Sequence, residues 1–179
     1  MVTDGAIVLP QQAAGEAKTF LRVAHDGEDG LIEGLVKSGA QLCEQFTGSV
    51  LIARTVHEDL PARGAWQPLA RCPVRAITGV EALWRDGTTS VLEPEAYAID
   101  IDEGGVGWVR VTDSAGARQI RVAYEAGMAA DWDALPDALR HGVVRIAAHL
   151  YSRREGGRDD APPAAVTALW RPWRRLRIG

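Results

Sequence analysis

DALPDALRHGVVRIAAHLYSRRE, residues 133–155, is the stretch whose reading decides the fold. Leu135, Leu139, Val143, Ile146 and Leu150 recur at spacings of three and four, and Ala147 and Tyr151 widen the stripe. That period predicts one long helix with a single core-facing side. Pro136 suits the first turn, where its missing N–H costs nothing, and Asp133 stands where a capping side chain belongs. Asp137, His141, Arg145, His149 and Ser152 fall on the opposite, polar face. Arg153, Arg154 and Glu155 close the last turn, and Gly156–Gly157 end it.

A polar, proline-containing break follows (GGRDDAPP, 156–163), and the chain closes on ALWRPWRRLRIG, 168–179. Trp170 and Trp173 flank Pro172, which biases Arg171 away from helix. After Trp173 the order Arg174, Arg175, Leu176, Arg177, Ile178 alternates in a way that suits an extended strand. A terminus this apolar folds back on its own domain or docks on a neighbour. The docking alternative makes Leu169, Trp170, Arg171, Pro172, Trp173, Arg174, Arg175, Leu176, Arg177 and Ile178 the candidate partner-binding residues. On that reading, truncation after Pro163 leaves the fold intact and abolishes assembly.

Toward the N-terminus, the first eight or so residues read as irregular, and QQAAGEAKTFLRV (11–23) has helical composition, with Ala17, Phe20 and Leu21 able to form an apolar patch. Asp26 followed by Asp29 resembles a capping box with Asp in place of Glu. Leu31, Ile32, Leu35, Val36, Leu42, Cys43 and Phe46 then fall on one side of a second long helix, stopped at Gly48. Gly39 lies within that stripe and permits close packing against another helix, at a cost near ~1 kcal/mol relative to Ala.

Between the two long helices the period changes to that of strands. VLIARTVH (50–57), Val74 to Trp84 with an interruption at Gly79, Val91–Leu92, Tyr97 to Ile101, Trp108 to Thr112 and Arg118 to Tyr124 are separated by turn signals at Asp86–Gly87 and Gly104–Gly105. These predict a small antiparallel sheet or partial barrel. The fold class is therefore α+β: a small bundle of long amphipathic helices, an inserted antiparallel β-rich subdomain, and an extended C-terminal tail. The expected divisions are 1–48 and 129–160 for the helices, 49–128 for the insertion, and 161–179 for a short helix or extended docking tail.

Several chemistries have no support. No stretch approaches the ~18 apolar residues of a membrane span, and no signal segment opens the chain, which predicts a soluble protein made in the cytoplasm. Cys43 and Cys72 share no motif, which argues against a disulfide framework or zinc site. His141 and His149 stand about 12 Å apart along their helix, too far to share one metal. Asp100, Asp102 and Glu103 fit no calcium loop and read as solvated turn acids. No phosphate-binding, dinucleotide or hydrolase motif occurs, so neither an enzyme nor a cofactor is expected. The net charge of −4 hides a split: from Arg140 onward the chain carries nine arginines and three acids, +6, leaving −10 on the rest. An acidic body with a basic end suits head-to-tail stacking or an acidic partner.

The sequence resembles the phage head–tail connector (adaptor) proteins, also found in prophages and gene transfer agents. Three stretches carry the resemblance: EAKTFLRVAHDGEDGLIEGLVKSGAQLCEQFTGSVLI (16–52), IRVAYEAGMAADWDALPDALRHGVVRIAAHLYSRRE (120–155), and the closing ALWRPWRRLRIG. They match the family's opening helix pair, its strand with Tyr-x-Ala-Gly and Leu-Pro before a long helix, and its Leu-x-x-Pro-x-Arg ending. The resemblance implies a non-enzymatic virion protein of the neck, assembled in the bacterial cytoplasm. Its implied partners are the portal, neighbouring copies in a ring (usually twelvefold), a downstream stopper or tail protein, and DNA passing through without sequence-specific contacts. Two readings stand beside it: a nucleic-acid-binding protein using the Arg/Trp-rich C-terminus, or a tail-completion or stopper protein.

Overall fold

The computed structural model describes residues 1–153 and 163–175. The chain forms two compact units, one of Met1–Ala6 with Ala53–Met128, the other of Ile7–Ile52 with Ala129–Gly179.

The second unit is helical: α1 (Gln11–Leu21), α2 (Asp29–Thr47), α3 (Asp137–Ser152) and α4 (Ala164–Trp170). The α+β class of the sequence reading holds, but a bundle of long helices does not. Among the described residues α2 and α3 run 19 and 16 residues, whereas α1 has 11 and α4 only 7. Pro10 and a left-handed Arg22 bound α1, and α4 is bounded by Pro163 and the turn containing Pro172. Ala13, Ala14 and Ala17 form the buried face of α1, while Phe20 stays 55% exposed, outside the expected patch.

The α2 stripe packs through Ile32, Val36, Ala40 and Cys43, and burial pushes the Cys43 thiol well above its ordinary pKa. Leu31, expected on that face, lies at its margin and is 44% exposed. Gly39 explains the approach of α3: a Cβ there would lie 2.8 Å from Ile146 Cγ2 and 3.0 Å from the Val143 carbonyl oxygen. Gly48 ends α2 in the left-handed region at φ 69, as the stop signal requires.

Two expected caps do not form. Lys18 Nζ donates to both Asp26 (2.9 Å) and Asp29 (2.5 Å), so the capping-box carboxylates are drawn to a cation on α1. Asp133 accepts from Gln12 Nε2 at 2.7 Å instead of capping α3, whose N-cap is Pro136. A full charge or a fixed amide donor outside the helix outcompetes the helix N–H groups in both cases.

The first unit holds two antiparallel sheets rather than one sheet or partial barrel. The larger has the order β1 (Val2–Asp4), β2 (Arg54–Pro61), β8 (Gln119–Ala126), β4 (Val74–Leu83), β5 (Thr89–Val91); the smaller runs β3 (Gln67–Pro68), β7 (Gly107–Val111), β6 (Tyr97–Ile101). The opening residues are thus a strand: β1 pairs Val2 with Glu58 through Asp4 with Val56. Val50–Ile52, expected to begin β2, instead lie buried in the helical unit, where Ile52 bridges Ala129. β4 slips register around Thr78–Gly79, matching the expected interruption.

Val56, Val80, Val109, Ile120, Val122 and Tyr124 make this unit's core. Glu58 is 5% exposed, yet its carboxylate accepts the Tyr124 hydroxyl at 2.9 Å and the Ala70 N–H at 2.8 Å. The Tyr124 oxygen accepts the Arg71 N–H at 3.2 Å, and burial pushes the phenol far above its ordinary pKa.

Two predictions test this packing. Gly39→Ala lowers stability by about 1–3 kcal/mol in urea unfolding, because overpacking against Ile146 and Val143 outweighs the helix propensity gained. The hydrogen bond and charge of Arg121 hold the Asp59 carboxyl below its usual value. A depressed carboxylate contributes stability above its unfolded pKa and loses it as pH falls through the folded one. Arg121→Met is therefore less stable than the parent at pH 7, and the gap closes as pH falls below about 4; urea melts across that range check it.

Candidate docking site

The C-terminal segment is positioned by its own small helix. Val166 and Thr167 donate their N–H groups to the Pro163 carbonyl, starting α4 without any side-chain cap. Val166 and Trp170, four residues apart and 1% and 0% exposed, share the face that enters the helical core.

Trp170 determines the arrangement. Its indole lies across Gly142 of α3, where a Cβ would come within 2.0 Å of Nε1. The indole N–H points at the Leu139 carbonyl, 3.4 Å away, and the Phe46 ring of α2 stands 5.9 Å off in a tilted arrangement. Only glycine at 142 leaves room for this side chain.

Beyond Trp170 the chain tightens into a single 3₁₀ turn, Arg171–Trp173. Arg171 is helical, φ −53 and ψ −42, against the bias expected from Pro172. Pro172 stands in the first turn of the 3₁₀ segment, where a missing N–H costs nothing, and the buried Trp170 fixes the chain path before it. Arg174 then turns extended and lies over Phe46, its Cζ 5.8 Å from the ring centroid. The Arg175 N–H donates to the Thr47 carbonyl at 2.8 Å, satisfying a C-terminal carbonyl of α2.

The candidate residues thus divide. Trp170 is wholly enclosed by its own unit and offers a partner nothing; Leu169, Trp173 and Arg175 are half-buried; Arg171, Pro172 and Arg174 are exposed. Leu176, Arg177 and Ile178 lie outside the described residues. Truncation after Pro163, expected to spare the fold, would strip Val166 and Trp170 from the core. The signal for this was present in the sequence as Gly142, a glycine inside an apolar helical stripe.

Arg140 carries the other dense charge contact. It lies 2.7 Å from Asp137, 3.7 Å from Asp133 and 3.9 Å from Glu16, and Glu16 also accepts the Trp132 indole N–H at 3.1 Å. No group of His, Cys, Asp and Glu among the described residues could hold a metal ion, and no described helix is long and apolar enough to cross a membrane. Asp102 is held by the Val106 N–H and the Trp108 indole N–H.

No protein-family model and no curated protein matches the chain. Solved structures do. A chain in the neck of an empty gene transfer agent (GTA) particle, computed with C6 symmetry, superposes with a TM-score of 0.78 at 24% identity, over 99% of this chain and 97% of that one. A chain in the virion of a native GTA particle gives 0.76, and one in the neck of a native GTA particle computed with C12 symmetry gives 0.73, each at the same identity and coverage. The likeness spans both units and establishes a shared fold.

Trp170→Ala lowers the free energy of unfolding by about 3–5 kcal/mol, the range for a fully buried aromatic. Removing residues 164–179 is at least as damaging, read by urea unfolding; equal stability of the truncated chain would contradict the packing described.

Proposed function

We propose that this chain is a structural protein of the neck of a phage-like particle: a head–tail connector, or adaptor. In this reading copies form a ring beneath the portal that extends the DNA channel and joins capsid to tail, with no catalytic role. The observation that carries the reading is the end-to-end likeness, 99% of one chain on 97% of the other, to a chain of GTA necks. A match that includes both units and the C-terminal helix is difficult to attribute to a common small motif.

The partners on this reading are neighbouring copies, in a ring of twelve when assembled, the portal, and a stopper or tail protein on the far side. DNA passes through without sequence-specific contacts. The protein works in the neck of an assembled particle, after synthesis in the bacterial cytoplasm. Residues 169–178 form the docking segment for the portal or a neighbouring copy. Its described contact surface is Arg171, Pro172 and Arg174 with the edge of Trp173, while Trp170 holds the root of the segment in place.

The nucleic-acid-binding alternative loses one of its two stacking residues, because Trp170 is 0% exposed and no base can reach its face, while Trp173 is half-buried. The arginines that remain give a non-specific attraction to phosphate. A tail-completion or stopper role shares the particle and the partners but has no feature of this chain in its favour.

Native mass spectrometry or sedimentation of the protein alone, and then mixed with its cognate portal, tests the proposal. A defined multimer on the portal ring is the expected outcome. Failure to join portals, combined with salt-dependent DNA binding, would transfer the function to the arginine-rich end.

A further inference from the structure

We infer that the β-rich unit carries both halves of a head-to-tail contact between copies: an acidic, apolar knob at the β6–β7 turn and a basic, aromatic pocket at the far end of β4. The inference rests on the ring reading above and adds to it the surfaces by which neighbouring copies join.

The knob is built from one edge of the smaller sheet. β6 pairs only with β7 among the described strands, leaving its outer edge open. Ile99 and Ile101 share one face of β6 and are 44% and 38% exposed. Asp100 and Glu103 beside them are exposed and make no ion pair among the described residues. From Val91 to Val109 the sequence has five acids and no lysine or arginine. Arg110, the next base along the sequence, is engaged by the face of Trp66, its Cζ 4.9 Å from the ring centroid, and Arg75, which follows Val74, is paired with Glu125 at 3.1 Å. The turn itself is rigid: Asp102 accepts the Val106 N–H at 2.9 Å and the Trp108 indole N–H at 3.0 Å, and Gly105 takes φ 72. A preorganised knob loses little entropy on docking.

The pocket has the opposite character. Trp84, Arg85 and Arg118 surround a depression of about 320 Å³ floored by Leu83 and Ala117. Trp84 is 38% exposed, and neither guanidinium is ion-paired among the described residues. The neighbouring Asp86 is turned onto the N–H and hydroxyl of Thr88, away from the arginines' service. Tryptophan and arginine are the residues most enriched at binding hot spots.

Their placement keeps them apart within one molecule. Gly107, opposite Ile101, lies against Val74, and the Val74 N–H donates to the Gly105 carbonyl, so the knob sits at the start of β4. The pocket sits where β4 ends, after Leu83. A ten-residue strand spans roughly 30 Å. Complementary patches at opposite ends of one rigid strand can meet only between copies. Such a heterologous contact closes into a ring when the rotation allows.

Charge reversal with complementation tests this. One variant carries Asp100→Arg and Glu103→Arg, the other Arg85→Glu and Arg118→Glu; all four positions are exposed, and circular dichroism verifies the fold. Each variant alone self-associates more than about tenfold more weakly than the parent, on portal rings or in concentration-series sedimentation, because like charges now oppose each other. Mixed in equal amounts the two assemble again, since acidic knobs meet basic pockets and basic knobs meet acidic pockets alternately. If each reversed variant assembles as the parent does, or the mixture is not restored, this contact is wrong and the ring reading survives. A parent that stays monomeric both alone and with portals overturns the ring reading and the contact together.

Discussion

The helical unit depends on one contact, the Trp170 indole on the bare backbone of Gly142. A tryptophan is the largest apolar surface a chain can bury, and here it closes the space between α2, α3 and α4 completely. Its energetic value requires two further conditions. The indole N–H must find a partner, which the Leu139 carbonyl provides at 3.4 Å, a long bond that is still better than none in a dry core. The backbone of α3 must also come within van der Waals reach, which no residue with a Cβ allows. Gly39 repeats the device on the other side, letting α2 approach Ile146 and Val143. Both glycines lower the intrinsic helix propensity by roughly 1 kcal/mol, and the burial each permits is several times larger.

The β-rich unit uses a buried polar cluster where the helical unit uses shape. A carboxylate as enclosed as Glu58 needs hydrogen bonds from the protein, and the Tyr124 hydroxyl and Ala70 N–H both donate to its Oε2. The consequence is positional. Ala70 and Arg71 are clamped to β2 and β8, and the adjoining Leu69 packs under Gly107 of β7, with its N–H on the Gly107 carbonyl. The smaller sheet is thereby registered on the larger one through a loop that periodicity alone would leave unplaced.

What the sequence made legible follows from this distinction between local and non-local causes. The α2 and α3 stripes, the Gly48 stop, the Asp86–Gly87 and Gly104–Gly105 turns and the Gly79 irregularity are local signals, and each appears where the pattern puts it. Three of the differences are competitions that a local pattern cannot see. Lys18 took the carboxylates of an apparent capping box, Gln12 took Asp133, and β1 became a strand only because β2 offered an edge. Tyr97 to Ile101 is a strand as its pattern predicts, but a strand at a sheet edge exposes even its apolar face. At the C-terminus the Trp/Arg pattern was legible as unusual, while its division into an internal anchor and an external surface was not, because that depends on Gly142, nearly thirty residues earlier.

The charge split reads differently once the side chains are placed. Arg140, counted with the basic end, is surrounded by Asp137, Asp133 and Glu16 and contributes little field to the exterior. Arg145, Arg153, Arg171 and Arg174 remain exposed. Such surface charges act through a field that decays over about 8–10 Å at ordinary ionic strength. They can raise the rate at which an acidic surface is met, but cannot define a register. Register needs shape, and at the C-terminus shape is supplied by the rigid 3₁₀ turn rooted on Trp170, which fixes Arg171, Pro172 and Arg174 relative to α2 and α3. Charges held on an anchored turn keep a fixed spacing, which the same charges on a freely moving chain would not.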